Sequence, residues 1–307
     1  MGKDKIIISG IDSLSPEIER QLKGKFDFSY YTPNGELDLI KTLESCDVFW
    51  FRLNHRLTKE ILKTASCKII ACAVTGLDHI DINYAEKKGI KIISLKNEFD
   101  FLKTVRATAE HTLGLTLGLL RQVVQASEDI QNGNWRREFF LGSEIYQKKV
   151  GIIGLGRLGT ITANLYKAFG AEIYYYDIKN IDSNYIKLNS LKEVFKICDI
   201  ISLHVPLDSS TFEFINKDLF SENEFFLINT SRGQVINEKD IVKGLKKSKL
   251  LGYATDVLTG EPHIANSLIW KESLYNKKIL VTPHIGGYTK ESILKTEKFI
   301  SKKILEF

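Results

Sequence analysis

The stretch "KKVGIIGLGRLGTITANLYKAFGAEIYYYD", residues 148–177, holds glycines at 154, 156 and 159 between two apolar runs. Three glycines at that spacing are weak evidence alone. Their setting is stronger. Residues 150–153 form an apolar strand run, 158–169 have helical period, Gly170 stands where that helix should end, and a second strand run closes on Asp177. Strand, glycine turn, helix, strand and acid make up a complete unit for holding a dinucleotide. Gly154 permits the tight turn, Gly156 lets backbone approach a pyrophosphate, and Gly159 lets helix and strand pack closely. The helix N-terminus then offers free N–H groups and the positive end of its dipole to the diphosphate. Asp177 is placed to accept from both ribose hydroxyls and to repel a 2′-phosphate, which favours NAD over NADP, although Lys179 nearby softens the preference. A phosphate-loop NTPase is excluded, because Thr160 rather than Lys follows Gly159.

Outward from this unit, strand runs at 150–153, 172–176, 200–204, 225–229, 251–254 and 279–281 alternate with helical stretches. That pattern predicts a mostly parallel sheet. Upstream, runs at 5–9, 26–31, 47–51, 68–73 and 91–95 alternate likewise and predict a second α/β domain. In it, Ser15-Pro16-Glu17 reads as an N-cap with proline at the first helical position, and Gly24 is expected to close the helix. Between the domains, "RATAEHTLGLTLGLLRQVVQASEDI", residues 106–130, predicts one long, nearly buried helix crossing from one to the other.

At 307 residues the chain exceeds the size at which a single core keeps growing, in agreement with two domains. No apolar run reaches eighteen residues and no leader pattern opens the chain, so no membrane span and a cytoplasmic address are expected. The net charge of +5 comes from 43 basic and 38 acidic residues scattered along the chain, which gives no support for nucleic-acid binding. Cys46, Cys67, Cys72 and Cys198 lack CxxC spacing and lie in or beside apolar runs, as buried free thiols would, and no metal site is expected. Of six histidines, His79 and His111 read as structural imidazoles, and His55 and His263 as exposed.

Three further stretches offer chemistry at strand ends, where ligands of open α/β sheets bind. "LINTSRGQVINE", 227–238, puts Arg232 just past a strand, where a planar fork can meet a carboxylate bidentately. "ATDVLTGEPH", 254–263, offers Asp256 and Glu261, and "LVTPHIGGYT", 280–289, offers His284. Hydride transfer needs a group that exchanges a hydroxyl proton and a cation that holds the substrate, and these residues could supply both.

Gly154-Leu-Gly-Arg-Leu-Gly159, His204-Val-Pro206, Asn229-Thr-Ser-Arg232-Gly233, Asp256-Val-Leu-Thr-Gly-Glu261-Pro262 and Thr282-Pro-His284-Ile-Gly286-Gly287 follow in order, and together the chain resembles the D-isomer-specific 2-hydroxyacid dehydrogenases. The resemblance implies a Rossmann-type doubly wound parallel sheet domain for NAD at 102–285. A discontinuous flavodoxin-like α/β substrate domain would be built from 1–101 and 286–307. Arg232 would grip the substrate carboxylate and polarise C2, His284 would exchange the C2 hydroxyl proton, and Glu261 would hold and tune the imidazole. Gly154, Gly156, Arg157, Leu158, Gly159, Asp177, His204, Pro206, Thr211, Thr230, Ser231, Asp256 and Gly286 would contact the cofactor, with Asp256 on the nicotinamide carboxamide. Arg52 and the loop Val74, Thr75, Gly76 and Leu77 would join Arg232 and His284 around the substrate.

The chain is phosphoglycerate dehydrogenase-like in this resemblance, in a short form without a regulatory domain. Cys72 stands where phosphoglycerate dehydrogenases carry a second arginine, which argues against a phosphorylated three-carbon substrate. A homodimer through the cofactor domain is expected by analogy. The alternative function is an NADH-sensing, corepressor-like binding protein with little turnover. Formate oxidation is disfavoured, because that branch has glutamine where Glu261 stands.

Overall fold

The computed structural model describes residues 3–220, 223–247 and 249–307. The chain forms two compact units, 1–105 with 290–307, and 106–289. Both crossings lie four residues beyond the boundaries expected from the sequence (105 against 101, 289 against 285). At the first, Phe101, Leu102 and Val105 still pack into the core of the first unit.

The first unit contains five parallel strands, β1 (Asp4–Ile8), β2 (Phe26–Tyr30), β3 (Val48–Phe51), β4 (Ile69–Cys72) and β5 (Lys91–Ser94). Their order is β2-β1-β3-β4-β5, the flavodoxin-like arrangement. Every residue of β3 and β4 is buried, because helices cover both faces. Such strands read as continuous apolar runs rather than alternating ones. One face packs Phe49, Phe51 and Ile70 against Leu43 and Leu62. The other packs Ile6, Ile8 and Trp50 with Ile300 and Ile304 of the helix Lys290–Leu305. Both isoleucines are fully buried, at about 1.5–3 kcal/mol each, so the closing helix is anchored here although the whole second unit intervenes in sequence. Ser15 caps the helix Pro16–Lys25 as expected, but Gly24 lies inside it. The chain leaves that helix by turning extended at Phe26 and entering β2 directly.

The second unit contains β6 (Lys149–Ile153), β7 (Glu172–Tyr176), β8 (Ile186–Lys187), β9 (Ile200–Leu203), β10 (Phe225–Asn229), β11 (Leu250–Thr255) and β12 (Ile279–Val281). All pair parallel in the order β12-β11-β10-β9-β6-β7-β8. The chain doubles back at β6, as in a Rossmann-type sheet. The two-residue edge strand β8 was not anticipated; both of its residues are exposed, so it carries no apolar run to read.

The segment 106–130 is not one helix. It forms Ala107–Leu120 and Val123–Gln131, both in the second unit, separated by Gln122 in the left-handed region at φ 51°. Leu115, Leu119 and Leu120 of the first helix enter the core. Val123, Val124 and Ile130 of the second are more than two-fifths exposed. The apolar period therefore continued past the point where burial stopped.

Candidate active site

The parallel register brings the carboxyl ends of six strands abreast. Ile153 pairs with Tyr176 and Leu203, Asn229 with Leu203 and Thr255, and Thr255 with Val281. Every cofactor and catalytic residue expected in this unit follows one of these ends within a few residues or a short loop.

The glycine loop follows β6. Gly154 adopts φ +91°, and a side chain there would meet the His204 carbonyl oxygen at 2.5 Å. A Cβ on Gly159 would lie 2.0 Å from the Gly154 carbonyl oxygen, so helix and strand approach as closely as the sequence implied. Gly156 caps the helix Arg157–Ala168 and has open space where a side chain would be. Asp177, just past β7, accepts from Leu155 N at 2.9 Å and Lys179 N at 2.8 Å, one on each carboxylate oxygen. A carboxylate has about four acceptor sites, so capacity for ribose hydroxyls remains.

His204 places Nε2 2.8 Å from Ser202 Oγ. Its Nδ1 is buried without a partner beside the glycine turn, and burial holds its pKa down to about 3, so the ring is neutral. Thr211 closes the following loop by donating to the Pro206 carbonyl at 2.7 Å. A bare glycine turn, an open helix N-terminus, a strand-end carboxylate and an orphaned polar nitrogen fit a dinucleotide.

The catalytic candidates sit on three adjacent strand ends sewn together by backbone. The buried Asn229 side chain accepts from Ser231 N (3.0 Å) and Ser231 Oγ (2.7 Å) and donates to the Arg232 carbonyl (2.9 Å). Its own carbonyl accepts from Asp256 N (3.0 Å), and the Asp256 carbonyl accepts from His284 N (2.8 Å). Arg232 is half-buried in extended conformation, with Nη1 donating to the Ser231 carbonyl at 2.8 Å. Thr230 lies 2.9 Å from Thr112 through their hydroxyls.

His284 stands at φ 55°, a left-handed conformation that non-glycine residues rarely adopt outside sites that over-determine them. Asp256 does the over-determining. It is 2% exposed. Its carboxylate accepts from Thr282 Oγ1 (2.6 Å), Ile285 N (2.9 Å) and Gly286 N (2.7 Å), with His111 Nε2 at 3.2 Å. Burial pushes its pKa up, but these donors outweigh it and hold the carboxyl below its ordinary value. Most of its acceptor capacity is thus spent on the turn that carries His284. The expected contact with a carboxamide would have to use what remains on Oδ2.

Glu261 and His284 come together: Oε1 accepts from Nδ1 at 2.7 Å, and Oε2 accepts from Leu258 N at 3.2 Å. Because the carboxylate accepts, Nδ1 carries the proton and Nε2 is the nitrogen available for exchange. The imidazole remains about a quarter exposed.

Of the residues expected on the substrate side, Arg52 and the loop 74–77 lie in the first unit. Arg52 pairs with Glu297. Val74 donates its N–H to the Cys72 carbonyl at 2.8 Å; Thr75 is exposed, Gly76 half-buried and Leu77 buried. His55, expected to be exposed, is half-buried against Phe49 and Phe51, 2.7 Å from Ser9 Oγ. All four cysteines are buried thiols, their pKa values raised by burial. Among the described residues no group of three or more His, Cys, Asp or Glu could hold a metal, and no helix is long and apolar enough to cross a membrane. In sequence Asn229 and Thr282 stand only as members of the matching motifs and His111 only as a structural imidazole; proximity shows that Asn229 holds the turn at Arg232 and that Thr282 and His111 meet Asp256.

A family model described as "D-isomer specific 2-hydroxyacid dehydrogenase, NAD binding domain" matches residues 113–286. The chain is 32% identical over 303 residues to D-3-phosphoglycerate dehydrogenase of Bacillus subtilis, covering 96% of this chain and 55% of that protein. It is 30% identical over 286 residues to glyoxylate reductase of Thermofilum pendens, covering 89% of this chain and 81% of that one. The chain spans about half the length of the phosphoglycerate dehydrogenases it matches. The crystal structure of Aquifex aeolicus D-lactate dehydrogenase, complexed with NAD and lactic acid, superposes with a TM-score of 0.81 at 25% identity, covering 98% of this chain and 94% of that one. With the strand-end geometry and these matches together, the chain belongs to the D-isomer-specific 2-hydroxyacid dehydrogenase family.

Proposed function

We propose that this protein is an NAD-dependent oxidoreductase interconverting a D-2-hydroxy acid and its 2-keto acid. The observation that carries the reading is the Glu261–His284 hydrogen bond, made by a histidine whose backbone is held in a disfavoured conformation at a strand end. A bound nicotinamide would supply hydride exchange at C2. In the oxidation direction, the Arg232 guanidinium grips the substrate carboxylate and polarises the oxygen on C2. His284 Nε2 takes the hydroxyl proton, and the carboxylate of Glu261 stabilises the imidazolium that forms. Asp177 holds the ribose and disfavours a 2′-phosphate.

Purified protein mixed with NADH and a panel of 2-keto acids is expected to oxidise NADH with at least one of them. NADPH is expected to be poorer by about tenfold in kcat/KM, the equivalent of about 1.4 kcal/mol. No oxidation with any acid would overturn the reading, and tight NADH binding without turnover would favour a redox-sensing protein.

A second copy of the chain is proposed to cover the surface of 121–146, where exposed apolar side chains stand among charged ones. There Trp135 and Leu141 are 87% and 90% exposed, beside a hollow of about 900 Å³. Patches of this kind mark interaction sites on soluble proteins. Light scattering is expected to give twice the chain mass, and the Trp135→Asp and Leu141→Asp variants the mass of one chain. A monomeric parent protein would remove the dimer.

A further inference from the structure

Strand order in the first unit reverses between β1 and β3, and open parallel sheets meet ligands outside the carboxyl ends of their strands at such a point. Arg52 is the first residue past β3. Its guanidinium is paired with the carboxylate of Glu297 on the helix Lys290–Leu305, and Glu297 is 2% exposed. Burial pushes the Glu297 carboxyl above its ordinary pKa, and the Arg52 guanidinium pulls against that shift by charge and hydrogen bond.

Besides Glu297, Asn54 and Cys72 bond the Arg52 backbone, and both are polar and uncharged. Asn54 Nδ2 donates to Ser9 Oγ at 3.0 Å and lies 2.9 Å from His55 Nε2. His55 is kept neutral by burial. The Cys72 thiol donates to the Arg52 carbonyl at 3.1 Å and stays protonated for the same reason. Among Ser9, Arg52, Asn54, His55 and Cys72 the one formal charge is that of Arg52, and Glu297 balances it.

We infer that Glu297 is a specificity-determining positioning residue. By fixing and neutralising Arg52, it suits this strand-end face to an acid whose group beyond C2 is uncharged and disfavours one with an anionic tail. The inference rests on the 2-hydroxyacid reading above and extends it to the substrate class. Glu297 does not touch the reacting atoms.

The test compares pyruvate with oxaloacetate, which adds a tail carboxylate, on full-length protein and on E297Q. Turnover with NADH is measured alongside calorimetric binding of both acids to protein saturated with oxidised NAD, where no hydride can pass. The parent protein is expected to favour pyruvate, and E297Q to move the ratio about tenfold toward oxaloacetate, mainly in KM. Adding Arg52→Met to E297Q is expected to erase the gain, which a merely structural role would not do. E297D keeps the charge but shortens its reach, and supplies a second variant with a shift of the same sign should E297Q fold poorly. An unchanged ratio in both measurements overturns the inference, as does binding of neither acid. Absent turnover with intact, shifting affinities overturns only the dehydrogenase reading and leaves Glu297 supported.

Discussion

Turnover with the best 2-keto acid is expected to fall by about a hundredfold or more when His284 is replaced by asparagine, the usual scale for a lost general acid–base. Asparagine isolates the chemistry, because it tolerates the left-handed backbone at φ 55° better than most residues. The turn 282–286 would keep its bonds to Asp256, which come from backbone N–H groups and from Thr282. Alanine would confound lost chemistry with backbone strain. NADH affinity, read by fluorescence titration, is expected to change by no more than about twofold, so the loss should lie in kcat. An unchanged rate would falsify the assignment of His284.

The second large effect is expected at Arg232. On the proposed mechanism, replacement by glutamine removes the cation that would hold the substrate carboxylate and meet the charge developing on the C2 oxygen, and a fall of about 10²–10³ in kcat/KM is expected. Lysine should recover little of it, since a single ammonium cannot reproduce the two parallel bonds of a guanidinium. The side chain is also pre-oriented: Nη1 is held by the Ser231 carbonyl, and Asn229 holds the Arg232 carbonyl. Steady-state kinetics on both variants decide the matter. Full rescue by lysine would reduce Arg232 to a general electrostatic role.

The success of the sequence reading was uneven along the chain, for physical reasons. The glycine loop was legible residue by residue, because each glycine answers a local demand: a positive φ at 154, an approach to backbone at 159. The strands β3, β4 and β9 were legible because sheets covered on both faces need uninterrupted apolar runs. The helix break at Gln122 was not, since nothing in the apolar period distinguishes residues that enter the core from those left on the surface. His111 was read as structural. It lies 171 residues from Thr282, yet its Nε2 stands 2.9 Å from that hydroxyl, a pairing no local pattern encodes. Only the family resemblance points Arg52 to the substrate, and its partner Glu297 is 245 residues away on the last helix.

From its sequence alone, this protein was bound to two parallel α/β units, a dinucleotide-type glycine turn, and an arginine, a glutamate and a histidine at strand ends. Those features follow from local backbone demands and from the apolar period of each segment. Only the tertiary structure decided how these groups are held within each unit: Asp256 spends its carboxylate on the turn that carries His284, Glu261 reaches the imidazole at 2.7 Å, and, in the first unit, Glu297 claims Arg52. Charges and hydrogen bonds act over a few ångströms whatever the separation along the chain, so their partners are fixed by the fold and not by neighbours in sequence.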